Sequence, residues 1–325
     1  MDRAAVDVNI LSTNELPVLK RSLANVLAQT YPAVRATVID NASTDGTSEW
    51  LRRTYPDVRV IRNEKNLYYC ASHNRAYREG TGEYVLPLNA DVFLAPDFIA
   101  KLVEALEIDP QAGQAQGKLY QARSVDDPGE APEFIDTVGI LVTRARRNFD
   151  RGQEEPEIGQ YDFSEEIFGA DGSAPLYRRA MLEEIAPDDN VFDPDFLIYR
   201  EVVDLSWRAQ AAGWRALYVP AATGFHVRGF SPRTRTQMKP LFRRLSYRNR
   251  WATLIRNMTL RELLPHLGFL LSFELLMLGH VLLRERQLLR CWPEMAVRLP
   301  RWRRDRRAIL LRRRTTARQL RGFFV

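Results

Sequence analysis

Val38-Ile39-Asp40-Asn41-Ala42-Ser43-Thr44-Asp45-Gly46-Thr47, read with Leu88-Asn89-Ala90-Asp91 further along, decides the fold of this chain. Each stretch starts as an apolar strand and breaks into a short polar turn. In an open α/β sheet, ligands lie against the carboxyl ends of the strands, so two such ends facing one crevice mark a binding site. Acidic groups held there cost burial energy, and chemistry explains them better than packing does.

Outward from these strand ends the pattern repeats. Residues 6–11 alternate and then run apolar, predicting a strand that ends in Ser12-Thr13-Asn14-Glu15. Pro17 and the spacing of Leu16, Leu19, Leu23, Val26 and Leu27 predict a helix. Strands are expected at 34–40, 58–62 and 84–88, and helices at 47–54, 70–79 and 96–107, the last opened by Pro96. Strand and helix alternating at short spacing predict a largely parallel sheet with helices on both faces. Residues 123–165, rich in Asp, Glu, Pro and Gly, read as loops with short strands. A helix is expected at 175–185 after the Gly169-Ala170-Asp171-Gly172-Ser173 turn. Another is expected over about 200–212, stopped by Gly213, and a strand over 214–219.

The bulk numbers set bounds. With 325 residues and 45% hydrophobic content the chain accommodates one large domain and an appendage. Two distant cysteines, Cys70 and Cys291, make neither a disulfide framework nor a metal cluster and fit a reducing compartment. Met1-Asp2-Arg3-Ala4-Ala5 lacks the basic and then apolar pattern of an export signal. The net charge of +6 hides an asymmetry, because from Gly229 onward Lys and Arg number 23 against 5 Asp and Glu. An acidic body with an arginine-rich tail (Arg301, Arg303, Arg304, Arg306, Arg307, Arg312, Arg313, Arg314) suits anionic lipid head groups or nucleic acid, or else a solvated helical face. The acidic body argues against nucleic acid. Residues 263–283 are almost continuously apolar, but Glu262, His266, Glu274 and His280 fall within an arc of about 120° at helical spacing. That stripe predicts an interfacial or core-docked helix rather than a spanning one.

Within the crevice, a carboxylate beside the second strand, Asp40, suits a ribose hydroxyl or a base N–H. A carboxylate in the short loop after the fourth strand, Asp91, suits a hard divalent cation such as Mg²⁺ or Mn²⁺ gripping a diphosphate. His226, one of four histidines, is either a further nitrogen ligand or a structural residue. Backbone N–H groups at Gly172 and Ser173 are placed to approach a sugar or an acceptor, or the loop simply needs glycine.

Taken in order, Leu11-Ser12-Thr13-Asn14, Gln29-Thr30-Tyr31, 40–47, 66–74, Asn89-Ala90-Asp91, 169–179, 199–208, His226 and Tyr247-Arg248-Asn249-Arg250 resemble the inverting glycosyltransferases of family 2, in particular a rhamnosyltransferase-like branch. The resemblance implies the GT-A fold over residues 1–228, and the apolar helix followed by the arginine-rich run predicts a helical, basic, membrane-associating region over 229–325. The resemblance also implies a nucleoside diphosphate-sugar donor, with dTDP-rhamnose ahead of UDP- and GDP-sugars, and a divalent metal. It further implies a glycan or polyprenyl-linked acceptor in bacterial cell-surface polysaccharide assembly, at the inner face of the cell membrane. Donor contacts are implied for Thr13, Asn14, Asp40, Asn66, Asn74, Asn89, Ala90 and Asp91. Metal contacts are implied for Asp91, His226 and, more weakly, Asn89, and acceptor or sugar contacts for Gly172, Ser173 and Glu201.

This chain departs from the family pattern at three positions. Asn89 stands where the first acid of the metal motif is expected. Tyr68 stands where relatives often have Gly. Val202 replaces the Asp of a Glu-Asp pair that acts as general base, leaving Glu201, then Asp204, as the candidate bases. Valine takes no proton, so a catalytically impaired relative that binds a nucleotide sugar or glycan is the competing expectation. A nucleotidyltransferase would want a glycine-rich basic loop after the first strand, and Ser12-Thr13-Asn14-Glu15 is not one.

Overall fold

The computed structural model describes residues 3–124, 132–186, 190–228 and 238–325. The expected loops at 123–165 and the start of the tail lie partly outside the described residues. The amino-terminal half is a run of alternating elements: β1 (Val6–Ser12), α1 (Leu16–Leu27), β2 (Val34–Asp40), α2 (Thr47–Thr54), β3 (Arg59–Arg62), α3 (Tyr68–Glu79), β4 (Tyr84–Asn89), β5 (Val92–Leu94), α4 (Phe98–Ile108) and β6 (Ala112–Gln121). Short strands β7 (Ile135–Thr137), β8 (Ile140–Val142), β9 (Asn148–Asp150), β10 (Glu165–Ile167) and β11 (Leu176–Arg178) follow. Then come α5 (Arg179–Ile185), α6 (Glu201–Ala211) and β12 (Arg215–His226). The rest is helical: α7 (Pro240–Asn257), α8 (Leu260–Leu263), α9 (Leu267–Leu283), α10 (Cys291–Leu311) and α11 (Ala317–Arg321).

The main sheet runs β10-β12-β6-β11-β4-β1-β2-β3. Its β4-β1-β2-β3 half is parallel, with Ser12 paired to Asp40 and Leu11 to Asn89. The polar ends of three strands therefore lie side by side, as the sequence predicts. Val6, Val8, Ile10, Leu86, Leu88, Leu19 and Leu23 fill the core beneath them, all fully buried.

The other half is mixed. Residues 176–178, expected as helix, instead form β11, antiparallel to both β4 and β6. β12 runs past Pro220 to His226 through a register shift between Val219 and Thr223, and pairs with β6 on one side and β5 on the other. That extension carries His226 opposite Val92, beside Asp91.

The helical tail packs on this body. Arg256 in α7 is 2% exposed and pairs with Asp193 at 2.7 Å and Asp204 at 3.5 Å. Trp302 and Ala252 join the apolar cluster of Phe196 and Leu205. The arginine-rich segment is in part structural: Arg301 pairs with Asp193 and Asp195, Arg306 donates to the carbonyls of Ile255 and Met258, and Arg313 pairs with Glu262. The sheet ends with β12 at His226, and the helical tail packs directly on the body.

The expected polar stripe faces the protein. Glu262 is buried, Arg146 bonds His266 at 3.1 Å, and Glu274 pairs with Arg250 at 2.6 Å. The opposite face bears Leu271, Leu275, Leu276 and Leu283, all more than half exposed. Residues Leu260–Leu283 are together long and apolar enough to cross a membrane, with only 11% of the most apolar window buried.

Candidate active site

A cavity of about 640 Å³ opens at the carboxyl end of the sheet. Asn89, Asp171, Gly172, Ser173, Glu201 and His226 line its inner end, and Phe273, Met277 and His280 of α9 line its outer end.

His226 lines this cavity and meets Asp91, which stands behind it outside the cavity lining. The end of β12 is tied to the loop after β4 by the Val227 N–H donating to the Asp91 carbonyl at 2.9 Å. His226 Nε2 lies 3.3 Å from Asp91 Oδ1, while Nδ1 lies 2.7 Å from Asp136 Oδ2. Asp136 is held in turn by Arg228, whose other amino group pairs with Asp150. Burial disfavours the imidazolium, but Asp136 and Asp91 outweigh it and raise His226 to about 10. Burial pushes Asp136 up, yet His226 and Arg228 bring it down to about 2.

One carboxylate and one ring nitrogen facing each other, with a second carboxylate fixing the ring's far side, is a donor set that suits a divalent cation completed by diphosphate oxygens and water. Among the described residues no group of three or more His, Cys, Asp or Glu converges as a self-sufficient metal cage. Of the residues expected to hold a metal, Asp91 and His226 are the two that the structure brings into contact. Asn89, expected as a weak third, has its N–H on the Ser173 carbonyl at 3.0 Å and its side chain on the cavity wall. Ala90, between it and Asp91, is buried in the core.

Glu201 is a buried carboxylate on the cavity lining. It opens α6 and is 6% exposed, and its Oε2 has no hydrogen-bond partner. Burial, with Asp171 adding repulsion, raises its pKa to about 7. Such a group is half ionised near neutrality and able to accept a proton. Val202, its neighbour, lies against Gly172, where a Cβ would come 3.2 Å from the valine methyl.

Asp204 is a correction. It is wholly buried, bonded to Arg208 at 2.9 Å and Asn257 at 2.8 Å. Burial pushes it up, but Arg256 and Arg208 hold it below its ordinary value. It anchors α6 to α7 and does not reach the cavity lining. Asn74 is another correction: its side chain donates to the Phe192 carbonyl at 2.7 Å and accepts from the Phe192 N–H at 3.0 Å, so it fastens the 190–192 loop.

Asp40 is also spent within the protein. It is fully buried, and its carboxylate accepts from the Ser43 N–H at 2.8 Å and is bonded by Ser48 and Arg62. The expected ribose or base contact is therefore not on display; Asp40 shapes the loop that would meet a nucleoside. In that loop Asn14, at φ 56°, accepts from the Thr44 N–H at 2.7 Å, next to Thr13. Asn66 accepts from Asn41 and from the Tyr68 N–H, both at 2.7 Å.

Tyr68 has φ 57°, the left-handed region that glycine favours. Its ring meets Phe242 of α7 edge-on. Ser173's N–H is taken by the Asp171 carboxylate at 2.8 Å, and the Gly172 carbonyl accepts from Tyr69 at 3.1 Å. Of the backbone donors expected in this turn, Ser173's is not available.

Sequence reasoning missed the support of the 196–200 segment. Leu197, Tyr199 and Arg200 all have positive φ, a costly backbone for such side chains. Asn249, fully buried in α7, donates to the carbonyls of Phe196 and Tyr199 at 2.9 Å and of Ile198 at 3.1 Å. Arg248 bonds Asn249 and the Asp195 carbonyl. The signal was present in the Tyr247-Arg248-Asn249-Arg250 motif, but its partner lay fifty residues upstream.

Comparison with known proteins bears on the family and the fold. The model of "Glycosyl transferase family 2" matches residues 7–186. The chain is 30% identical over 244 residues to the N-acetylglucosaminyl-diphospho-decaprenol L-rhamnosyltransferase of Mycobacterium tuberculosis, covering 66% of this chain and 73% of that one. It is 21% identical over 213 residues to the poly-β-1,6-N-acetyl-D-glucosamine synthase of Staphylococcus aureus, covering 64% and 46%. Among solved structures, the mannosyltransferase of Pyrobaculum calidifontis with GDP-mannose and Mn²⁺ superposes with a TM-score of 0.56 at 19% identity, over 96% of this chain and 86% of that one. GalNAc-T7 with UDP, GalNAc and Mn²⁺ does so with 0.59 at 17%, over 78% and 48%.

Proposed function

The chain belongs to glycosyl transferase family 2, and from that premise we propose that it moves a sugar, rhamnose as the first choice, from a nucleoside diphosphate donor to a glycan or polyprenyl-linked acceptor, with inversion and with a divalent cation. The rhamnosyl choice, with dTDP ahead of UDP and GDP, rests on the likeness to the mycobacterial rhamnosyltransferase, whose name carries both the sugar and a diphospho-decaprenol acceptor. The polysaccharide context and the inner membrane face rest on that likeness and on the exposed leucines of α9.

The single observation carrying the catalytic reading is Glu201: buried, lacking a partner on Oε2, raised to about 7 and lining the cavity. An inverting displacement needs the acceptor hydroxyl to lose its proton as it attacks the anomeric carbon, and Glu201 takes that proton. Asp91 and His226 would hold the cation, which supplies Lewis-acid charge neutralisation to the departing diphosphate. Asp136 fixes the His226 ring so that Nε2, not Nδ1, faces Asp91. Gly172 and Tyr69, joined by a hydrogen bond, line the same cavity as Glu201.

Val202 favours a second reading, an impaired relative that binds donor without turning it over. The two separate in one experiment. Calorimetry with dTDP, UDP and GDP, each with and without Mn²⁺, is expected to show metal-dependent binding of one nucleotide that Asp91→Ala removes. Transfer assays with the matching sugar donor then divide enzyme from binder. Failure of every nucleotide to bind overturns the proposal.

A further inference from the structure

The 169–173 turn brings a second carboxylate to the Glu201 end of the cavity. Asp171 lines that cavity and is 7% exposed. Its N–H donates to Gln116 Oε1 at 2.7 Å, and its Oδ1 accepts from the Ser173 N–H at 2.8 Å. The Ala170 N–H on Gln114 and the Tyr69 hydroxyl on the Gly172 carbonyl fix the turn on either side. A carboxylate offers about four acceptor positions, and the Ser173 bond takes one of them. A group held this firmly has little freedom left to lose when a ligand arrives.

Glu201 lines the same cavity from α6, with its buried Oε2 lacking a hydrogen-bond partner. Burial is the largest cause of its raised pKa; the charge of Asp171 adds to it and that of Arg200 opposes it. The two carboxylates are therefore close enough to act on each other. The remaining acid of the lining, Asp150, is paired with Arg228 at 2.7 Å. Where the turn meets α6 the wall is apolar, because a Cβ on Gly172 would stand only 3.2 Å from a Val202 methyl. Position 202 carries no carboxylate, but the residue just before its Gly172 contact does.

We infer that Asp171 is an acceptor-binding carboxylate, which takes the sugar hydroxyl next to the one that Glu201 deprotonates, with Val202 and Gly172 against the sugar's C–H face. The inference rests on the glycosyltransferase reading and adds to it the group recognised on the acceptor, a pair of adjacent hydroxyls. A pyranose carries hydroxyls on its rim and C–H groups on its faces, which matches two carboxylates beside an apolar wall. Hydroxyl groups donating to a carboxylate make charge-assisted bonds. A buried carboxylate is costly to leave unmatched, so a sugar lacking the second hydroxyl is rejected.

The test uses the full chain with Mn²⁺ and each of dTDP, UDP and GDP in turn. The probes are octyl β-glycosides of glucose, galactose, mannose and N-acetylglucosamine, with the monodeoxy analogues of each, titrated by saturation-transfer NMR. In the unaltered chain, removing either hydroxyl of one adjacent pair is expected to weaken the best probe about tenfold. Asp171→Asn keeps the shape and the acceptor for the Ser173 N–H, and is expected to weaken the intact probe about tenfold. In that variant one of the two deoxy analogues should bind as well as the intact probe, since the hydroxyl it lacks has lost its partner. Unchanged affinity of Asp171→Asn for the intact probe overturns the inference, as do full penalties for both analogues in the variant. So does failure of the unaltered chain to bind any glycoside, a result that does not depend on how the variant folds. Nucleotide titrations on the same samples report on the donor separately. Loss of nucleotide binding with probe binding kept would overturn the donor reading and leave this site standing.

Discussion

Replacing Glu201 with Gln should cost activity and add stability, and the pH dependence of both is fixed by one number. Burial raises this carboxyl from 4.5 to about 7. A base in that state is about one-tenth ionised at pH 6 and nine-tenths at pH 8, so kcat/KM should climb roughly tenfold across that interval and then level off. The Gln variant should lose about 10²–10⁴-fold and its residual rate should not follow this curve. Stability runs the other way. The folded protein holds the proton more tightly than the unfolded chain, so the native state loses ground as pH rises from 4.5 to 7. At about 1.4 kcal/mol per pH unit the loss reaches roughly 3 kcal/mol and is complete above pH 7. Glu201→Gln, which has no proton to lose, should unfold at higher denaturant than the parent at pH 8 and match it at pH 4. Urea melts at the two pH values and initial rates from pH 5 to 9 measure both. A rate profile flat down to pH 5, or a Gln variant no more stable at pH 8, refutes the assignment of Glu201 as a strained base.

Val202→Asp should lower turnover at pH 7 several-fold, because a third carboxylate beside Glu201 and Asp171 pushes Glu201 further up; a gain would move the base to position 202. Mn²⁺ affinity for the nucleotide complex should rise up to about tenfold per pH unit between 7 and 9, since a cation on His226 must displace the proton held there at about 10, and a pH-independent isotherm would remove His226 from the ligand set. Asn249→Ala should cost about 1–3 kcal/mol in a urea melt and reduce kcat more than nucleotide affinity; wild-type kcat in a folded variant would show that the 196–200 segment holds itself. Leu275→Asp with Leu276→Asp, both on exposed positions, should abolish flotation with anionic vesicles while leaving the melting temperature unchanged. Unchanged flotation would end the membrane role of α9.

The parallel half was readable because its strands carry their burial in local alternation, and each ends where polarity begins. β6 was not. Gln114, Gln116 and Lys118 interrupt any apolar run there, yet all three are buried. Gln114 bonds Ala170 N–H and Ser206, Gln116 bonds Asp171 N–H, and Lys118 meets Glu157 and Asp162. A polar side chain that buries itself to hold a distant loop leaves no periodic trace. The same holds for Asp136, which helps to set the charge of His226 from ninety residues away. In the tail, a run of arginines reads as solvated charge until the carboxylates and carbonyls of other elements are in place.

The Asn249 clamp has a consequence for the order in which competence is acquired. The sheet, the Asp91 loop and His226 are complete in sequence by residue 226. The Glu201 end of the cavity is not, because the positive-φ backbone ahead of Glu201 lacks its three carbonyl contacts until α7 has docked. A growing chain thus carries the Asp91 and His226 end of its crevice in full before the segment that leads into Glu201 can be braced, so the two ends are completed at different points of synthesis.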